Sequence, residues 1–104
     1  MARRNAPTHL AASTRAWWRS VMVDYQLEGH HQHLLTLGCE ALDRAEEARK
    51  RLAEDGSFYT DRHGAPKVHP AVAVERDARL SYARLLRELD LDGEPGPDPR
   101  PPRR

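Results

Sequence analysis

The chain has one cysteine, Cys39, among 104 residues. A lone cysteine closes no internal disulfide and completes no Cys-x-x-Cys metal pair. Set between Gly38 and Glu40 in a helical pattern, it reads as a small packing residue rather than a nucleophile. Apolar material is also scarce, with 38% hydrophobic against 32% charged residues. A chain this short and polar buries only a modest core, so part of its stability is expected from self-association. No apolar run approaches the ~20 residues of a membrane span, and the amino terminus lacks a signal-peptide core. The expectation is a soluble, intracellular protein. Acidic residues are absent before Asp24, while Arg3, Arg4, Arg15 and Arg19 all precede it. A net charge of +1 therefore conceals a local positive patch at the amino-terminal end.

What is present is mainly helical periodicity. Residues 1–12, with Pro7 and two arginines, read as a flexible basic arm. Ser13 is placed as N-cap of a first helix over about 13–26, where Trp18, Val21, Met22 and Tyr25 follow the i, i+3, i+4, i+7 rule. A second helix is predicted over 29–54, with Leu35, Gly38, Leu42, Ala45 and Leu52 at alternating three and four spacings. On its other side Glu40, Glu46 and Glu47 each precede a cation by four residues, the spacing of facing pairs. Gly56 is suited to end it in the left-handed conformation. Residues 57–69, SFYTDRHGAPKVH, have no helical period and predict a loop or short hairpin. Pro70 fits the first position of a third helix over 70–91, which presents Val74, Ala78, Tyr82, Leu85 and Leu89 on one face. The proline-rich tail 94–104 has nothing to bury, and disorder is expected. The fold class is thus all-α: three helices, two of them long and forming an antiparallel hairpin or bundle, with an insert before the last. They make one helical domain over 13–93. A second helix roughly 37 Å long, at ~1.5 Å per residue, outruns one short partner helix. His31, Leu35, Leu42 and Leu52 on its stripe are therefore expected to meet another copy of the chain.

Three histidines in EGHHQHLL (28–35) raise the question of a metal site. His30 and His33 have helical ligand spacing, but zinc requires three or four protein ligands. His9, His63 and His69 sit in separate segments. The expectation is no metal and no cofactor, with the histidines as packing or interface residues. Asp61 and His63 share a loop but have no nucleophile beside them, so turn chemistry explains them better. No Gly-rich phosphate loop and no Gly-x-Ser-x-Gly elbow occurs. The chain is not expected to be an enzyme. The stronger candidate is TRAWWRS: Arg15 and Arg19, with Arg3 and Arg4 of the arm, are suited to neutralising phosphates. Arg62 and Lys67 form a second basic cluster in the insert. The competing reading of the tryptophans is that they close the core.

Four segments taken in order, WWRSVMVDY, LLTLGCEALDRAEEARKRLAEDG, GAPKVHP and RLLRELDLD, resemble the small terminase subunit family of tailed bacteriophages. The likeness spans about residues 10 to 93, and its specific part is the Gly…His-Pro loop between two long helices. The resemblance implies a non-catalytic packaging protein of the host bacterial cytoplasm. Such a protein forms homo-oligomers, in some cases rings, and engages double-stranded viral DNA. It recruits and regulates the large subunit, which carries the ATPase and nuclease. The amino-terminal arm is shorter than in longer members, without room for a separate helix-turn-helix domain. The alternative from composition alone is a small helical interaction or regulatory protein without nucleic-acid binding.

Overall fold

The computed structural model describes residues 5–91. Arg3, Arg4 and the tail 94–104 lie outside the described residues. There are three helices, α1 (Ala12–Asp24), α2 (Gly29–Asp55) and α3 (Pro70–Leu89), with a two-stranded antiparallel sheet of β1 (Phe58–Thr60) and β2 (Pro66–Val68) inserted between the second and third helices in chain order. The expected all-α architecture with a small insert is the observed one.

Helix α2 is the spine. Its small residues Gly38, Ala41, Ala45 and Ala48 are all buried, which lets α3 come close. A Cβ built on Gly38 would stand 3.7 Å from Leu85 Cβ. Helix α3 runs back along α2, from His69 beside Asp55 to Leu89 in the cluster around Leu35. Its 20 residues cover about 30 Å of the roughly 40 Å spine, at ~1.5 Å per residue. Pro70 opens α3 as expected, and His69 caps it: Nδ1 accepts from the Ala71 amide at 3.0 Å. The helix stops slightly earlier than expected because Asp90 takes a left-handed conformation, φ 56°, which Asp tolerates better than most side chains.

The remaining spine surface is covered by α1 and the segment before it. Trp18, Val21, Leu35, Cys39 and Leu89 form the core cluster together with Ala6 and Leu10. Residues 5–11 are therefore not a loose arm. Leu10 fills an apolar gap between α1 and α2, and a turn from its amide to the Pro7 carbonyl shapes the approach. Ser13 does not cap α1, which begins one residue earlier, after Ala11. The cap is tertiary: Asp43 of α2 accepts from the Ala11 amide at 2.8 Å and from the Thr14 hydroxyl at 2.5 Å. A carboxylate at that end also complements the positive pole of the helix. Helix α1 ends at Asp24 rather than 26 because Tyr25 turns extended, its hydroxyl donating to the Leu91 carbonyl.

Candidate assembly and nucleic-acid surfaces

The hairpin is built from turn chemistry. Gly64 has φ 80°, open to glycine at no steric cost. Asp61 Oδ1 accepts from the His63 and Ala65 amides at 2.8 and 2.9 Å. That carboxylate is used by the turn, not by the His63 ring. Phe58 pairs with Val68, Tyr59 with Lys67 and Thr60 with Pro66. A hydrogen bond from the His69 amide to the Ser57 carbonyl closes the base. Every strand residue is exposed. The chain's only phenylalanine, Phe58, is 65% exposed, with Val68 at 56% and Tyr59 at 48%. Since side chains of directly paired residues share a sheet face, Phe58 and Val68 make one apolar face. Tyr59 and Lys67 make the other.

The cations expected on DNA fall into two separate groups. Arg15 and Arg19 lie on α1 beside the amino-terminal half of α2, where Trp18 Nε1 donates to Thr36 Oγ1 at 3.2 Å. Arg19 is exposed, whereas Arg15 is half-buried with its Nε lacking a hydrogen-bond partner among the described residues. Arg62 and Lys67 are exposed on the hairpin, beyond the far end of α2. From Thr36 to Asp55 the spine measures roughly 28 Å at ~1.5 Å per residue. Trp18 is a core residue, 4% exposed, and Trp17 packs against Tyr82 with ring centroids 6.1 Å apart.

The stripe expected to meet another copy is largely occupied within the chain. Leu35 is 0% exposed, so it offers no surface to a second copy. Leu42 lines a cleft of about 340 Å³ between α2 and α3, and Leu52 is half-buried. His31 is half-buried, its ring 4.1 Å from that of His30 and tilted by 41°. Among the described residues no group of three histidine, cysteine or acidic side chains is placed to hold a metal ion. Cys39 is fully enclosed. Burial, reinforced by the Asp43 and Glu40 carboxylates, pushes its thiol up to about 12, so it is not a thiolate nucleophile at neutral pH.

A surface that the residue spacing did not single out is acidic. Glu40, Asp43 and Glu47, at i, i+3 and i+7 of α2, share one face. With His9, Leu10 and Arg44 they line a shallow groove of about 350 Å³. His9 Nε2 donates to Glu40 at 2.8 Å. The spacing reads Glu40 and Glu47 as helix-stabilising members of charge pairs and does not single out Asp43. In the structure Glu40 takes His9, and Glu46 takes Arg49 at 3.1 Å. The 3–4–7 spacing was the available signal. For Phe58 the signal was a large apolar residue outside every helical stripe.

The family model for the small subunit of phage terminase matches residues 15–94. No curated protein and no solved structure matches the chain. No helix among the described residues is long and apolar enough to cross a membrane.

Proposed function

The chain belongs to the phage terminase small-subunit family, part of the viral DNA-packaging machinery, and from that membership we propose that it is a non-catalytic subunit which assembles with itself. In this reading it binds double-stranded viral DNA in the host bacterial cytoplasm. It then presents that DNA to the large subunit, which supplies the ATPase and nuclease. The family match over residues 15–94 carries this reading, and two features of the chain support it. Apolar side chains stand exposed on an element that adds nothing to the chain's own core. Basic side chains occupy the α1 end, where Arg19 is free to reach phosphate and Arg15 stands one turn away.

Phosphate contacts release counterions, so binding through them weakens steeply with salt. Fluorescence anisotropy with duplex DNA is expected to show a log–log salt slope of about −1 per phosphate neutralised. Arg15→Ala/Arg19→Ala is expected to reduce both the affinity and that slope. Affinity unchanged in this variant moves DNA off α1. A wild-type protein that is monomeric and binds no duplex at low salt removes the reading itself.

A further inference from the structure

The hairpin and the acidic groove are complementary, and they lie on different parts of the molecule. The hairpin presents Arg62 and Lys67, neither of which has an acidic partner among the described residues. Its only acid, Asp61, accepts from two turn amides. The groove presents Glu47 and, shared with His9 at 2.8 Å, Glu40. Asp43 beside them is tied to Ala11 and Thr14, and Arg44 stands on the groove wall. From Asp43 to Asp55, where the hairpin departs, the spine measures roughly 18 Å at ~1.5 Å per residue. The exposed hairpin does not reach back to its own groove.

We propose that the hairpin of one copy docks on the acidic groove of the next, joining copies head to tail through Arg62 and Lys67 on one side and Glu40 and Glu47 on the other. The occupant is a second copy of this chain because the charges match across two surfaces of the same molecule. Tyr59, which shares the Lys67 face of the hairpin and is 48% exposed, supplies the apolar area that such a contact desolvates. An isolated two-stranded hairpin is only marginally stable in water and becomes secure when a face is covered. A contact using different patches on its two sides is heterologous, and repetition gives a closed ring or an open filament. One hairpin is small against the ~800 Å² per partner of a standard interface. Closure, in which every copy is held at both ends, provides the added strength. The proposal rests on the self-assembly named above and assigns its surfaces. It also takes Arg62 and Lys67 away from DNA.

Directionality makes the test specific. Two variants are made, Arg62→Ala/Lys67→Ala in the hairpin and Glu40→Lys/Glu47→Lys in the groove, and far-UV circular dichroism checks that each retains its helices. Should the groove variant lose helicity, Glu47→Lys alone replaces it, since that side chain is exposed and outside the His9 pair. By light scattering, wild type is expected to be an oligomer and each variant a monomer. An equimolar mixture keeps one good hairpin, on the groove variant, and one good groove, on the hairpin variant. It is therefore expected to form a dimer that grows no further. A hairpin variant of wild-type mass overturns the proposal. So does a mixture in which both remain monomeric. A hairpin variant that keeps its mass but loses DNA returns Arg62 and Lys67 to DNA. A monomeric wild type instead removes self-assembly from the proposed function, a result distinguishable from failure of the docking alone.

Discussion

The core around Leu35 and the hairpin around Phe58 use apolar side chains in opposite ways. Leu35 is 0% exposed and meets residues from every helix, whereas Phe58 is 65% exposed and belongs to strands with no covered face. Where apolar residues are scarce, leaving the only phenylalanine in water has a cost that the single chain does not recover. The contrast separates stability from contact. One end of the molecule spends its hydrophobic surface on folding, and the hairpin holds its own for another molecule. The first way to break this comparison is Leu35→Ala. Truncating a fully enclosed leucine removes its transfer free energy and leaves a cavity, a loss of about 2–5 kcal/mol. In a small domain that approaches the whole stability. Urea unfolding is expected to show a midpoint collapsed towards zero; a loss below ~1 kcal/mol would mean that the core is not closed.

Cys39, beside Leu35 in the same cluster, sharpens the comparison through pH. Its thiol titrates at about 12 in the folded chain against 9.0 for the ordinary group. A folded value above the unfolded one means that the stabilisation is complete below pH 9 and is lost as pH rises towards 12. Near pH 10.5 the unfolded chain gains roughly 2 kcal/mol from ionising this thiol, at ~1.36 kcal/mol per unit. Burial also raises Tyr82, with a smaller push from Cys39, so its effect has the same sign. Stability measured at pH 8 and pH 10.5 is expected to fall steeply in wild type and less in Cys39→Ala. Equal slopes would place the thiol in contact with water.

How much of this was legible in the sequence depends on the range of the interaction. Pro70 opening α3, Gly56 closing α2 and the Trp18–Val21 stripe are local, and residues within a few positions decide them. The Asp43 cap on α1 joins positions about thirty apart in sequence, and no periodicity announces it. Ser13 was the reasonable local choice, but a carboxylate from another helix took the role. Leu10 was hidden likewise, because a single leucine beside Pro7 has no repeat to mark its face. The candidate surfaces divide in the same way. Arg62 and Lys67 are conspicuous as charges, but their separation from Arg15 and Arg19 follows only from the course of α2. Glu40, Asp43 and Glu47 had readable spacing, yet pairing of Glu40 and Glu47 with cations four residues on offered a sufficient local explanation and masked the groove.

His69 stands where the two regions join. Its Nε2 donates to Asp55 at 2.9 Å while Nδ1 accepts from the Ala71 amide, so the ring carries its proton on Nε2. Its side chain thus ties the end of α2 to the start of α3, while its backbone amide closes the base of the hairpin. His69→Ala removes both bonds and is expected to cost about 1 kcal/mol, the usual value of a lost N-cap. His69→Asn keeps an acceptor for the Ala71 amide and is expected to recover most of that loss. An Asn variant no better than Ala would show that the cap contributes nothing and that the Asp55 bond carries the effect.

The smallest expected effect is the most discriminating. Tyr59→Ala, measured by urea unfolding at concentrations where the chain is monomeric, is expected to change stability by no more than ~0.5 kcal/mol. That is the range for surface positions without a special role. Association stabilises whatever binds only the folded form, so wild-type melting is expected to rise with protein concentration. The Ala variant is expected to lose much of that rise, since Tyr59 acts only once a second copy covers it. A monomer weakened by more than ~1 kcal/mol would mean that Tyr59 packs within its own chain, and the division between a folding end and a contact end would collapse. Normal monomer stability with a flattened concentration dependence is the combination that only an intermolecular role for this side chain produces.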